Sequence, residues 1–277
     1  MHGDRRRAAG LAGAVARLTA AAIPLVAICA GVGALVAGGG GAIAGVVVAG
    51  VVLAVVGSYC DRLALSAMAA RPVSEVEHPE LYRLVRELSK GARLPVLRLY
   101  LSPAGQPNSF AVGRNPRTAA ICCTEGLLAS LDEAELRGVL GHELAHVSGR
   151  DILPATVSAG LATVITFPAG IARFLMLVLG PVAALVIRLS VTGQREYRAD
   201  AAGALLAGDP VALASALRKI EFGTAQLALA PDARVSSVGH LMIASPFHPD
   251  GFARLFGTHP PAGERVRRLE ALAGYRR

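Results

Sequence analysis

Leu18 to Gly57 contains no charged residue over 40 consecutive positions, and this run constrains the fold more than any other feature of the chain. One helix crossing the hydrocarbon core of a bilayer takes ~20 apolar residues. The run is long enough for two such helices, and Gly38-Gly39-Gly40-Gly41 sits where a tight connection belongs. It predicts a helical hairpin with arms at Leu18–Ala37 and Ala42–Gly57. The alternative for the first arm is a signal peptide, which has a short apolar core and a small-residue cleavage site. Here the apolar run continues far past such a core, which predicts a retained anchor.

A second apolar block runs from Ile152 to Leu189, with Arg173 and Arg188 as its charges and Pro168 and Pro181 interrupting it. Two further spans are expected, Ile152–Ala172 and Phe174–Ile187. The alternative is a pair of buried or re-entrant helices. Composition agrees with a membrane setting: 17% of residues are charged and the mean hydropathy is +0.50, against ~25% charged in soluble domains. Arg5, Arg6, Arg7 and Arg17 precede the first span, and short loops rich in arginine stay on the cytoplasmic side. The expected organisation is therefore an N-terminal transmembrane hairpin (1–57), a cytoplasmic domain in two parts (58–151 and 190–277), and a second hairpin (152–189) inserted between them. The net charge of +8 suits a surface facing anionic headgroups. The arginines are scattered or flank spans and no nucleic-acid module is recognisable, so no nucleic-acid partner is expected. Cys29, Cys60, Cys122 and Cys123 form no C-x-x-C pattern and are expected as apolar core residues.

The segment after the first hairpin has local signals of its own. Pro79 to Ala92 places Leu81, Leu84, Val85 and Leu88 on one helical stripe. Short strands are expected at Val96–Leu101, Asn108–Gly113 and Arg117–Thr124. Asp132 followed by Glu135 is a capping-box pattern that starts a helix, and Gly149 is a stop signal. The fold class that follows is mainly α with a small β-sheet and about four transmembrane helices.

Within that helix lies His142-Glu143-Leu144-Ala145-His146. Residues at i and i+4 share a helix face, so both imidazoles can reach one metal ion, and Glu143 stands beside them as a base. This is the H-E-x-x-H arrangement of zinc metallopeptidases. A catalytic zinc takes three protein ligands. Glu196 and Asp200, again i and i+4, follow the second apolar block. One reading makes Glu196 the third ligand and Asp200 the carboxylate that orients a ligating histidine. The other makes Arg195, Glu196, Arg198 and Asp200 a solvated charge cluster of ordinary helical pairs. Spacing alone leaves the two level.

The pentad, the intervening apolar block and Glu196-x-x-x-Asp200 together resemble the HtpX-like membrane zinc metallopeptidases, relatives of the CAAX prenyl endopeptidases. Asn108-Ser109-Phe110-Ala111 looks like that family's N-A-F-A segment, with Ser109 departing from the alanine. Gln194-Arg195 also departs, where the family often has Ser-Arg spaced differently. Thr258-His259-Pro260-Pro261 with Glu264-Arg265-Val266 looks like its T-H-P-P element. The resemblance runs from about residue 58 to the end, in the family's order. It implies a gluzincin-type domain with one zinc ion held by His142, His146 and Glu196, with Glu143 as general base and Asp200 behind a ligand. It gives Asn108 and His259 roles near the substrate carbonyl. It further implies an endopeptidase of a bacterial inner membrane, facing the cytoplasm, acting on unfolded or membrane proteins in quality control and stress response.

Three alternatives remain. A non-catalytic scaffold predicts a broken ligand set, and the set is intact. A CAAX-type processing protease predicts more spans than this chain holds. A chance pentad in a transporter is disfavoured by Glu196 and by the soluble content. The donor set would also accept cobalt or nickel. Bland roles are expected for His2, His78, His240 and His248. Asp151 either supports a histidine or marks the membrane boundary, and Arg173 sits at a hairpin turn.

Overall fold

The uncharged run lies in one helical segment, α1 (His2–Ala67), which as a straight rod of 66 residues would reach about 100 Å. It does not run straight. The backbone leaves helical geometry at Ala37 (φ −143°, ψ 29°) and Gly38 (φ 58°, ψ −143°), and the two arms fold back side by side. A Cβ on Gly33 would collide with the carbonyl of Gly41, and one on Gly45 with the carbonyl of Cys29. Glycines at those positions let the two backbones touch. The turn is tighter than the four-glycine connection expected: Gly38 alone takes positive φ, and Gly39 to Gly41 are already helical. One residue free of the Cβ penalty suffices to reverse the chain.

The computed structural model describes residues 2–149, 152–171, 176–190, 193–230, 232–248 and 259–274. Asp151, Arg173 and Thr258, singled out above, lie outside them. After α1 come β1 (Arg71–Pro72), α2 (Pro79–Gly91), β2 (Arg98–Ser102), β3 (Ser109–Val112), β4 (Ala120–Thr124), α3 (Glu125–Ser130), α4 (Glu133–Ser148), α5 (Ile152–Ile171), α6 (Met176–Ser190), α7 (Gly193–Ala207), α8 (Pro210–Gln226), α9 (Ala233–Val238), a 3-10 turn (Gly239–Leu241) and α10 (Ala262–Gly274). The molecule is mainly α with a small sheet.

The sheet order is β1-β2-β4-β3, with β2 and β4 parallel and the outer pairs antiparallel. β1 was not expected. It is too short to alternate, and Pro72, which has no N–H, is confined to an edge strand. β3 forms the other edge, with Ser109 opposite Cys123. One face of the sheet contributes Leu99, Leu101, Ala111 and Ile121 to the main core, joined by Leu81, Leu84, Val85 and Leu88 of α2 and by Val139, Leu140, Leu144 and Val147 of α4. The other face sets Phe110, Val112, Ala120 and Cys122 against Ala64, Leu65 and Met68 at the end of α1.

α5 and α6 pack along the α1 hairpin: Leu161, Ala162, Ile165, Ala183, Val186 and Ile187 share a cluster with Ala21, Leu25, Val56 and Cys60. Thr156, Ser158, Thr163 and Thr166 return their hydroxyls to carbonyls within α5. Among the described residues, Val15–Ala67 is long and apolar enough to cross a membrane; Ile152–Thr166 and Leu179–Leu189 are shorter apolar stretches.

Candidate metal centre

α4 begins where its capping box expects. The Asp132 carboxylate accepts from the Glu135 N–H (2.9 Å), and the Glu135 carboxylate accepts from the Asp132 N–H (3.0 Å). Glu135 is held further by Lys219 and Ser215 of α8. With its start pinned, the helix carries Val139, Leu140, Leu144 and Val147 into the core and turns His142 and His146 toward α7.

Glycines decide how closely α4 and α7 approach. A Cβ on Gly203 would stand 2.5 Å from the His142 nitrogen, and one on Gly141 would stand 2.7 Å from the Gly203 carbonyl oxygen. The two backbones are in contact there, so side chains one turn away meet between the helices. His142 and His146 bring their Nε2 atoms to 3.1 Å of each other. Glu196 presents Oε2 at 3.6 Å from His142 Nε2 and Oε1 at 3.6 Å from His146 Nε2. One ligand atom from each of the three residues lies within 4.8 Å of the others, and all three residues are buried.

The electrostatics favour ligand forms. Burial pushes the His146 imidazole down to about 4, so it is neutral at neutral pH. Burial would raise the Glu196 carboxyl, but the imidazoles of His146 and His259 outweigh it and hold the group well below the usual carboxylate range. Two imidazoles and one carboxylate form the kind of donor set that zinc takes. Both ring nitrogens of His259 are buried without a hydrogen-bond partner among the described residues. Unmatched buried polar atoms are uncommon and mark sites built to meet something else.

Behind His142, Asp200 Oδ1 lies 3.0 Å from its Nδ1. Asp200 is gripped from the other side by Arg265, whose Nε and Nη2 donate at 2.8 and 2.7 Å. Burial opposes the Asp200 charge, yet the Arg265 guanidinium prevails and holds the carboxyl at about 2. Arg265 Nη1 also donates to the Ile243 carbonyl at 2.5 Å, and Nη2 stands 4.0 Å from Glu196 Oε2. Glu143 points to the sheet: Ser109 Oγ donates to its Oε1 at 2.6 Å. Burial raises the Glu143 carboxyl above its ordinary range.

The structure thus brings His142, Glu143, His146, Glu196, Asp200 and His259 together; His259 Nδ1 stands 3.7 Å from Glu196 Oε2. His259 also lines a cavity of about 540 Å³ together with Pro260, Pro261, Ala244, Phe247 and Arg265. Asn108 is nearby but occupied: its amide donates to the Ala244 carbonyl (3.0 Å) and toward Gln106 Oε1 (3.5 Å). His240 is buried away from the centre, where Ser158 Oγ and the Ala155 carbonyl meet its Nε2.

Sequence reasoning missed four contributors. Ser109 was noted only as a departure from alanine. Arg265 sits among Glu264, Arg267 and Arg268 and differs from those two arginines only in being buried. Gly141 and Gly203 are single glycines within helices, where each costs about 1 kcal/mol relative to alanine; that cost was the available signal of a close approach.

A profile of peptidase family M48 matches residues 75–273 of the chain. The chain is 55% identical over 236 residues to a protein named "Protease HtpX homolog" from Kineococcus radiotolerans, covering 78% of this chain and 80% of that one. It is 52% identical over 229 residues to one of the same name from Paenarthrobacter aurescens, covering 77% and 79%. It is 46% identical over 236 residues to another from Bifidobacterium longum, covering 78% and 77%. The geometry and these likenesses agree: the chain belongs to peptidase family M48, among its HtpX-like membrane metalloproteases.

Proposed function

We propose that the chain is a zinc endopeptidase that cleaves unfolded or membrane-embedded polypeptides, with one zinc ion held by His142, His146 and Glu196 and with Glu143 as general base. The convergence of those three ligand atoms within 4.8 Å carries the reading. When bound, zinc polarises the scissile carbonyl and lowers the pKa of a water molecule toward ~7. Glu143 accepts the proton of the attacking water and passes it to the leaving amine. Ser109 fixes one carboxylate oxygen of Glu143 and leaves the other to face the water. The raised pKa of Glu143 makes it a better proton acceptor and a willing donor afterwards.

Asp200 orients His142, and Arg265 orients Asp200. Of the two candidates for hydrogen bonding the carbonyl oxygen as it gains charge, His259 has neither ring nitrogen hydrogen-bonded among the described residues, whereas the Asn108 amide is already engaged. His259 takes that role, worth typically ~3–4 kcal/mol, and Asn108 ties the start of β3 to residue 244. An extended substrate pairs with the edge of the small sheet at β3. The Ser109 carbonyl there is already taken by the Ile243 N–H at 2.9 Å, so pairing starts beyond it. Unfolded segments meet this requirement and folded domains do not.

The membrane arrangement follows the charge pattern: residues 1–57 as one hairpin, 152–189 as a second, and the peptidase parts 58–151 and 190–277 on the cytoplasmic face of a bacterial inner membrane, in protein quality control. Metal content and casein cleavage, measured on detergent-purified protein, test the chemistry. Wild type should hold about one zinc per chain and cleave casein. Glu143→Gln should keep the metal and lose cleavage, and Glu196→Ala should lose both. Undiminished cleavage by Glu143→Gln would overturn the assignment.

A further inference from the structure

The second arm of α1 exposes apolar side chains on more than one side, Val46 and Val48 among them, and one row runs its length as a stripe. Ile43, Val47, Val51, Val55 and Tyr59 recur every fourth residue, and each is at least 48% exposed. The stripe ends at Tyr59, and there a recess of about 550 Å³ opens, lined by Tyr59, Asp61, Arg62, Arg98, Arg114 and Arg117. The arginines come from three places in the chain: the end of α1, β2, and the turn between β3 and β4. They are brought together by the fold. Four guanidiniums face one carboxylate, which leaves three positive charges around one small space. Arg98 donates to the Thr118 carbonyl (2.6 Å) and lies 3.6 Å from Asp61, and Arg62 stacks over the Tyr59 ring at 5.5 Å. The side chains of Arg114 and Arg117 are exposed.

We propose that this recess binds the phosphate of an anionic phospholipid whose acyl chains lie along the Ile43–Tyr59 stripe. Guanidinium forks match phosphate oxygens in pairs. Tyrosine is favoured where hydrocarbon meets headgroup. A free phosphate would satisfy the arginines but leave the stripe unused, and the continuity of stripe and recess selects a molecule with both parts. β3 joins this recess to the metal centre: Ser109 at one end touches Glu143, and Arg114 follows just beyond Val112 at the other. The inference rests on the reading that α1 lies in the bilayer.

The test uses full-length protein in neutral detergent. Thermal stabilisation and native mass spectrometry compare phosphatidylglycerol with phosphatidylcholine of the same acyl chains. Phosphatidylglycerol should bind more tightly. The Arg114→Gln/Arg117→Gln variant should lose that preference by about fivefold per arginine, with metal content and casein cleavage in lipid-free detergent unchanged. Removing two charges from α2 instead, Arg83→Gln/Arg86→Gln, should preserve the preference. Equal binding of the two lipids, equal loss in the α2 control, or full stabilisation by inorganic phosphate would each overturn the proposal. Release of wild type from membranes by alkaline carbonate would overturn the bilayer reading beneath it, whereas retention without lipid preference would sink this inference alone.

Discussion

The Asp200–Arg265 pair is the support most open to a quantitative test. Asp200 is 3% exposed and Arg265 1%, and two hydrogen bonds of 2.8 and 2.7 Å join them. Holding the Asp200 carboxyl at about 2, against an ordinary 3.8, corresponds to roughly 2 kcal/mol in favour of its charged form. Arg265→Met removes that support and leaves a buried carboxylate facing His142 alone. Asp200→Asn leaves a buried guanidinium with the Ile243 carbonyl as its acceptor and Glu196, 4.0 Å away, as its nearest remaining carboxylate. Breaking one side of a buried pair costs about 3–5 kcal/mol. At about 2–4 °C per kcal/mol for a protein of this size, each single variant should melt roughly 10 °C below wild type. The double variant buries no net charge, so it should melt above the value that adding the two losses gives, with a coupling of about 2 kcal/mol or more. Asp200→Asn should also weaken metal binding about 10- to 100-fold, because His142 loses its orienting carboxylate. Melting curves at one scan rate in one detergent, with metal affinity from competition with a chelator, decide the matter. Losses that add to within about 0.5 kcal/mol, the behaviour of independent sites, would refute the argument.

Three further outcomes follow from the geometry. Gly203→Ala sets a Cβ 2.5 Å from the His142 nitrogen, so α4 and α7 must part and metal content should fall below a tenth of wild type; normal occupancy would mean that the glycine contact does not set the site. Ser109→Ala removes a charge-assisted hydrogen bond worth about 1.5–3 kcal/mol, and kcat should drop about tenfold with KM and metal content unchanged; an unaltered kcat would show that Glu143 needs no such support. In metal-stripped protein, His146 titrates at about 4 when folded against 6.5 when unfolded, so the unfolded chain binds the proton first, and stability present above pH 6.5 is lost as the pH falls toward 4. The melting temperature of stripped wild type should decline over that window more steeply than that of His146→Gln, and parallel curves would contradict the assignment.

Local features were legible because they are written in neighbouring residues. The stripe of α2, the capping box at Asp132 and Glu135, and the i, i+4 pair His142 and His146 each depend on a few positions and one helical period. The hairpin turn was placed to within a few residues, since a forty-residue apolar run cannot continue as a single span. β1 was not legible, because two residues carry no alternation. Arg265 was not legible either: Arg267 and Arg268, two and three positions on, have the same chemistry and stand in solvent.

The sequence by itself determined that two imidazoles and a carboxylate share one helix turn, and that the chain carries more apolar surface than a soluble core absorbs. Periodicity and composition are properties of contiguous residues, and no packing is needed to read them. Only the tertiary structure decided that Glu196, fifty residues beyond His146 and across two apolar helices, faces both imidazoles as well as its neighbour Arg195. That outcome depends on two backbones touching at Gly141 and Gly203, and on a guanidinium from α10 arriving behind Asp200. Contacts between distant segments follow from how closely surfaces fit, and spacing along the chain does not record that fit.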